Sequence, residues 1–178
     1  AGRAHMLNDN VLNPLTEFRR VNMEGTLNLA KQAIKQGVKR FVFISSLGVN
    51  GNNNKQPFIE LDTPNPQEPY AISKLEAERG LLALAKESSL EVVIIRPPLV
   101  YGSNAPGNFG SLVKWANKRI PLPFGAIRNQ RSFIALDNLV SFIIHCIDHP
   151  KAANEVFLIS DGEDVSTTQL LKKVTKSF

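Results

Sequence analysis

The sequence has few residues that would cross-link the chain, hold a metal or anchor it in a membrane. It contains one cysteine in 178 residues, which excludes an internal disulfide, and Cys146 lies in an apolar helical stretch where a thiol packs as a small hydrophobic group. His145 and His149 are spaced i, i+4, but no third ligand is evident, so no metal site is predicted. No apolar run approaches the ~20 residues of a membrane-spanning helix, and the start lacks a signal-peptide pattern. We expect a cytoplasmic protein without membrane insertion.

The charge pattern also lacks the features of a nucleic-acid binder. The net charge is +5, yet the basic residues are scattered and are not interleaved with aromatic residues on one face. Lys31, Lys35, Lys39 and Arg40 are expected to form a solvated helix end, where cations suit the helix dipole. We therefore expect no nucleic-acid partner. The remaining functional interpretation of the positive net charge is that it attracts an anionic small molecule.

The apolar segments predict a soluble α/β chain. With 43% hydrophobic and 21% charged residues, the composition is that of a globular protein with a sizeable core. Strands are predicted at 41–45, 91–96, 131–136 and 156–159, and helices at 14–36, 70–86 and 137–149. The first two strands and the helix between them should form a right-handed parallel βαβ unit. The polar segment 50–69, rich in Asn and Pro, is predicted to be a loop over the site, with the length of a lid.

A serine, a tyrosine and a lysine carry the most informative pattern. Ser46 follows a buried strand, and the carboxyl ends of such strands face the crevice where open α/β sheets bind ligands. Tyr70 and Lys74 share one helix face at i, i+4, so we expect the ammonium to lower the tyrosine pKa from about 10. Tyr70 would then transfer protons at neutral pH, with the Ser46 hydroxyl over the same substrate oxygen.

A third strand end completes a family pattern. The run Arg96-Pro97-Pro98 ends the strand that follows the Tyr70 helix. The order strand-Ser-Ser, Tyr-x-x-Ser-Lys helix, strand-Arg-Pro resembles the extended short-chain dehydrogenase/reductase family, specifically its NAD-dependent nucleotide-sugar epimerases. The resemblance implies a Rossmann-type doubly wound parallel sheet with part of a small substrate-binding lobe.

The same resemblance predicts that the sheet is incomplete at its N-terminus. No G-x-G-x-x-G or G-x-x-G-x-x-G spacing occurs, although this loop cradles the dinucleotide phosphates, and the chain opens where family members have passed several βα units. The predicted organisation is 1–102 as the C-terminal part of the NAD-binding domain, 103–130 as a substrate-lobe segment, 131–160 as a return to the first domain, and 161–178 as the start of a further substrate-lobe helix. The fragment alone is expected to be inactive.

The resemblance implies a role for each catalytic residue. Tyr70 would take the proton from the hydroxyl at carbon 4 of a UDP-sugar, of the UDP-glucose or UDP-N-acetylglucosamine type. Ser46 would hydrogen-bond the same oxygen, and Lys74 would lower the tyrosine pKa and hold the nicotinamide ribose. The sugar would pass through a 4-keto intermediate and take the hydride back on its other face, with no net redox change.

The resemblance also implies binding residues and an assembly. NAD contacts are assigned to Ala1, Gly2, Arg3, Ala4, Asn22, Ser45, Tyr70, Lys74 and Pro98; Ser45 is expected to be structural and not catalytic. Substrate contacts are assigned to Ser46, Tyr70, Leu99, Asn108, Phe109, Leu122, Pro123, Phe124 and Arg131, the last on the diphosphate. NADP stays an alternative cofactor because the ribose-binding acid is absent. Homodimers are expected to pack the Pro14 and Tyr70 helices into a bundle.

Departures from the family pattern bear on the reaction. Related 4,6-dehydratases carry an Asp-Glu pair where this chain has Leu47 and Gly48, so dehydration ranks well below epimerisation. Asn50 replaces a tyrosine and Leu99 replaces an asparagine of some epimerases, which leaves the sugar open. A 4-keto-sugar reductase, needing only the Ser, Tyr and Lys set, is the runner-up. A non-catalytic Rossmann-type sensor or scaffold is the alternative of another class.

Overall fold

The computed structural model describes residues 2–4, 13–102, 129–166 and 168–170. Its helices are α1 (Pro14–Phe18), α2 (Gly25–Lys35), α3 (Pro69–Lys86) and α4 (Leu136–Asp148). Its strands are β1 (Arg40–Ile44), β2 (Glu91–Arg96), β3 (Leu99–Tyr101), β4 (Phe133–Ala135) and β5 (Val156–Leu158). Short 3-10 turns cover Leu47–Val49 and Pro150–Ala152, and a π-helical turn, Arg19–Glu24, joins α1 to α2.

The main sheet is parallel, with the strand order β1-β2-β5. Arg40 lies opposite Glu91 at one end of the β1–β2 pair, and Ile44 lies opposite Ile95 at the other. Since parallel neighbours need a crossover connection, α3 occupies the link between β1 and β2. The predicted parallel βαβ unit is therefore confirmed.

The core lies between this sheet and the helices α2 and α3. It is built from the buried residues Ala30, Phe43, Ala77, Leu81, Leu90, Val92 and Ile94. Strand β2 is buried from Val92 to Arg96, the pattern of a central strand covered on both faces. A Cβ at Gly80 would lie 2.6 Å from Leu27 Cδ2, so a residue without a side chain lets α2 and α3 approach closely.

The first helical segment begins and ends on clear sequence signals. Asn13 Oδ1 accepts a hydrogen bond from the Thr16 amide at 3.3 Å, and Pro14 occupies the first turn, where its missing N–H costs nothing. The segment ends at Lys35, and Gly37 follows with φ +70°, the left-handed conformation that terminates helices. The predicted helix over 14–36 is present, interrupted by the π-helical turn.

By packing, the chain forms two compact units: 1–97 with 141–159, and 98–140 with 160–178. The second unit contains the parallel pair β3–β4 and a bridge between Arg131 and Val165. Asp161 accepts hydrogen bonds there from Tyr101 Oη (2.7 Å), the Ala135 amide (3.0 Å) and Asn138 Nδ2 (2.8 Å). The assignment of particular segments to a substrate lobe stays a prediction.

Two local predictions are wrong, and one strand was not predicted. Strand β3 follows directly after the two prolines, because Pro98 precedes the ladder and removes no donor from it. The predicted strand 131–136 is shorter, and Leu136 begins α4. Arg40 is not solvated: its guanidinium pairs with Glu91 at 2.6 Å and donates to the carbonyl oxygens of Cys146, Ile147 and His149.

No helix within the described ranges is both long and apolar enough to span a bilayer.

Candidate active site

Ser46 lies just beyond the carboxyl end of β1, where the backbone is still held by β2. The Ser45 amide donates to the Ile95 carbonyl at 2.7 Å, and the Leu47 amide donates to the Pro97 carbonyl at 2.9 Å. Ser46 Oγ accepts a hydrogen bond from the Gly48 amide at 3.2 Å and so caps the turn Leu47–Val49. The serine hydroxyl is thus fixed at the edge of the sheet where ligands bind in such folds.

The start of α3 packs directly against this turn. A Cβ at Gly48 would lie 3.4 Å from Ser46 Oγ and 3.5 Å from Ala71 Cβ. Ala71 follows Tyr70 in the sequence, so the turn after Ser46 lies against the first residues of α3. The structure therefore brings the turn after Ser46 close to the start of α3.

Lys74 connects α3 to the end of β1. Its Nζ donates to the Ile44 carbonyl at 2.8 Å and lies 4.5 Å from the centre of the Phe43 ring. The side chain is buried, with 8% of the residue exposed. Burial lowers the pKa of Lys74 to about 8, while the Glu78 carboxylate acts in the opposite direction. The pKa of Lys74 therefore lies closer to neutral pH than that of a lysine in water.

Tyr70 lies in the first turn of α3 with its ring against Phe18, edge to face, at a centroid distance of 6.0 Å. Burial raises the pKa of its phenol, contrary to the sequence-based expectation that Lys74 lowers it. The reason is geometric: Lys74 Nζ lies 5.9 Å from the tyrosine ring centre and is directed to the Ile44 carbonyl. Desolvation therefore outweighs the attraction of the ammonium for a phenolate.

Asn22 ties the beginning of the chain to α3. Its Oδ1 accepts from the Arg3 amide at 2.8 Å, and its Nδ2 donates to the Arg3 carbonyl at 3.0 Å and to Ser73 Oγ at 3.1 Å. Ser73 Oγ in turn donates to the Tyr70 carbonyl at 2.7 Å. Asn22 is buried within the π-helical turn, a kind of bulge found often at functional sites.

The segment Gly2–Ala4 lies beside Lys74. A Cβ at Gly2 would lie 3.3 Å from Asn22 Oδ1 and 3.7 Å from Lys74 Nζ. A glycine here lets the backbone approach the two polar groups closely. This agrees with a segment that runs along a bound ligand.

Ser45 provides an independent sign that a ligand belongs here. It is buried, and its Oγ has no hydrogen-bond partner among the described residues. Buried hydroxyls without partners are rare in folded proteins and indicate a missing water, ion or ligand group. A polar cofactor at the carboxyl end of β1 would satisfy this atom, so the residues present fit a dinucleotide.

Pro98, Leu99 and Arg131 belong to the second unit, where Leu99 and Arg131 are exposed. Ala4 is exposed as well. Ala1, Asn108, Phe109, Leu122, Pro123 and Phe124 lie outside the described residues.

Sequence reasoning missed one buried ionic cluster. Arg96 Nε and Nη2 donate to the two carboxylate oxygens of Glu78 at 3.0 and 2.6 Å, and its Nη1 donates to Asn50 Oδ1 at 3.0 Å. The three residues are 2–4% exposed. The sequence did contain a signal for this cluster. An arginine that ends a buried strand needs a charged partner, and Glu78 lies one helical turn after Lys74 on the same face of α3.

Residues 2–160 match the family described as "NAD dependent epimerase/dehydratase family". The chain belongs to this family. A curated UDP-glucose 4-epimerase from Vibrio cholerae is 55% identical over 177 residues, which cover 98% of this chain and 54% of that protein. The chain thus spans about half the length of that relative. The resemblance inferred from the motifs is confirmed.

Solved structures show the same fold. UDP-glucose 4-epimerase from Thermotoga maritima, solved with UDP-glucose, is 28% identical with a TM-score of 0.84, covering 99% of this chain and 58% of that one. MoeE5, solved with UDP-glucose and NAD, is 26% identical with a TM-score of 0.81, covering 91% of this chain and 56% of that one. The Rossmann-type parallel sheet is therefore confirmed.

Proposed function

We propose that the complete protein is an NAD-dependent epimerase acting at carbon 4 of a UDP-sugar of the UDP-glucose or UDP-N-acetylglucosamine type. The arrangement of Ser46, Tyr70 and Lys74 around the carboxyl end of β1 is the observation that carries this proposal. The names of the similar proteins support the choice of reaction, since two of them are UDP-glucose 4-epimerases.

Tyr70 acts as the proton-transfer group in this proposal. Its phenolate oxygen accepts the proton of the carbon 4 hydroxyl and becomes the neutral phenol, and the Ser46 hydroxyl donates a hydrogen bond to the carbon 4 oxygen. Lys74 Nζ lies 5.9 Å from the tyrosine ring centre, so its charge favours the phenolate and opposes the burial that raises the pKa of the phenol. NAD, when bound, supplies the hydride acceptor for carbon 4.

Four parts of the first unit would hold the cofactor. The backbone of Gly2–Ala4 and the Asn22 side chain border Lys74 on one side. Ser45 Oγ offers a buried hydroxyl that lacks a partner among the described residues, and Lys74 Nζ can donate to a ribose hydroxyl. Pro98 is proposed as a further neighbour of the cofactor.

The substrate contacts and the assembly are proposals of the same kind. Arg131 is exposed and available to pair with the diphosphate, for which a guanidinium is well suited. We propose a dimer interface on the Pro14 and Tyr70 helices, where Leu29 on α2 is an exposed apolar residue at which it can be tested. Sedimentation of the complete protein, with Leu29→Glu as the variant, tests this dimer. A cytoplasmic location completes the proposal.

A 4-keto-sugar reductase remains the second candidate, because the same three residues suffice for it. The complete protein is therefore given UDP-glucose and UDP-N-acetylglucosamine without added reduced cofactor, and the sugars are followed by NMR. Appearance of the galacto epimers supports the epimerase. Turnover of a 4-keto sugar only after addition of NADH or NADPH replaces it with the reductase. Absence of both reactions favours the non-catalytic sensor or scaffold.

A further inference from the structure

The cluster of Glu78, Arg96 and Asn50 joins three separate parts of the first unit. Glu78 comes from α3, Arg96 from the end of β2, and Asn50 from the start of the loop that leads to Tyr70. The Arg96–Glu78 pair is bidentate, with distances of 2.6 and 3.0 Å, and its side chains are 5% and 2% exposed. Such a pair is costly to bury and fixes geometry more than it adds stability.

Glu78 also stands one turn from Lys74 on the same helix. Residues at i and i+4 are neighbours on a helix face, and both of these residues are buried. The Glu78 carboxylate favours the charged form of Lys74, against the burial that disfavours it. Arg96 holds this carboxylate in one orientation by two hydrogen bonds, and a third, from its Nη1 to Asn50 Oδ1, holds the guanidinium itself.

We propose that Glu78 is a positioning residue of the active site: anchored by Arg96, which Asn50 holds in turn, its carboxylate keeps the Lys74 side chain charged at the end of β1. This inference rests on the proposed function, in which Lys74 acts as an ammonium. Among the described residues, Glu78 is the charged group that acts on Lys74. The other charged or titratable groups on the surrounding elements are Tyr70, Glu76, Arg79 and Lys86 on α3, Arg40 on β1, Glu91 and Arg96 on β2, Arg19, Arg20 and Glu24 in the π-helical turn, and Arg3 beside Asn22. The Arg19–Glu76 pair between the π-helical turn and α3 is more exposed, at 42% and 28%.

Asn50 extends the same cluster into the loop. Its Nδ2 donates to the Ile59 carbonyl at 3.3 Å, while the neighbouring Val49 carbonyl accepts from the Asn65 amide at 3.1 Å. The loop segment that leads to Tyr70 is thereby linked through Asn50 to Arg96, the residue that holds Glu78. Asn50, which stands where many relatives have a tyrosine, serves here as an internal anchor.

The test follows the titration of Lys74 directly. The complete protein is labelled with 13C at lysine Cε, and the Lys74 resonance is identified by its loss in Lys74→Met. Glu78→Gln keeps the side-chain shape but removes the charge, so the midpoint of the Lys74 titration should fall by about one pH unit. The matched control is Glu76→Gln, which removes a carboxylate from the same helix and should leave the midpoint unchanged.

Two further variants keep the test decisive. Glu78→Asp retains the negative charge, so its Lys74 titration midpoint should lie close to that of the unmodified protein. Asn50→Asp adds a carboxylate at the cluster and should move the midpoint upward, so it decides the matter if Glu78→Gln does not fold. An unchanged midpoint in either Glu78→Gln or Asn50→Asp, or an equal shift in Glu76→Gln, overturns the proposal.

The same variants are then assayed for turnover. The alkaline limb of kcat should move with the Lys74 midpoint, downward in Glu78→Gln and upward in Asn50→Asp. A shifted titration with an unmoved kcat limb would contradict the positioning role. Because the NMR titration needs no turnover, failure of the proposed reaction is distinguishable from failure of this inference.

Discussion

The Lys74 ammonium lies 2.8 Å from the carbonyl oxygen of Ile44, the last residue of β1. This contact joins the helix that carries Tyr70 to the strand that precedes Ser46. It also places a positive charge in a buried position, which a protein does not retain for stability alone. The structural cost of Lys74 and its proposed role in proton transfer can therefore be measured separately.

Replacement of Lys74 by methionine should stabilise the fold and abolish turnover. The lowered pKa corresponds to about 3 kcal/mol of unfavourable charge burial, and the lost hydrogen bond to Ile44 offsets about half of this. Unfolding by urea at pH 7 should show a gain of about 1–2 kcal/mol. A destabilised Lys74→Met protein would show that the ammonium is held mainly by structural contacts.

The pH dependence of stability should carry the signature of the same group. Burial lowers the pKa of Lys74 from 10.5 to about 8 in the folded state, so between these values the unfolded chain binds more protons. The free energy of unfolding should therefore rise with pH across this window. Lys74→Met should lack this rise, which urea titrations at several pH values would detect.

A negative charge in place of the Asn22 amide should destabilise the fold. Its Nδ2 donates to the Arg3 carbonyl and Ser73 Oγ, and an aspartate would set a buried oxygen against that carbonyl. Asn22→Asp should cost about 2–4 kcal/mol in the free energy of unfolding. Asn28→Asp on the exposed face of α2 is the matched control and should change it by less than about 0.5 kcal/mol.

Arg40 should contribute to stability through the end of α4. Its guanidinium donates to the carbonyl oxygens of Cys146 and Ile147, which are among the groups that a helix end leaves without an intrahelical partner, and to that of His149 just beyond the helix. Arg40→Gln should cost about 1–3 kcal/mol, measured by urea unfolding. The exposed neighbour provides the control: Lys39→Gln should have little effect, and equal losses would contradict the capping role.

Much of the site was accessible from the sequence because its signals are local. The apolar run before Ser46 and the i, i+4 spacing of Tyr70 and Lys74 depend on neighbouring residues only. These patterns predicted the strand, the helix and their common edge.

The rest depended on contacts between residues distant in the sequence. Arg40 contacts the end of α4, more than a hundred residues later in the sequence. Arg96 contacts Glu78 and Asn50, which lie 18 and 46 residues earlier. The direction of the Tyr70 pKa shift was wrong for a related reason. Spacing shows that Lys74 is near, but only the fold shows that its Nζ is directed to Ile44 and that burial dominates.

The most direct test of the proposed active site is the Tyr70→Phe variant of the complete protein. The change keeps the ring against Phe18 and removes only the phenol oxygen. Turnover of the UDP-sugar should fall by at least about a thousand-fold, while calorimetric binding of the nucleotide sugar stays within a few-fold of the unmodified protein. Turnover that is unchanged in Tyr70→Phe, with binding intact, would contradict the assignment of Tyr70 as the proton-transfer group.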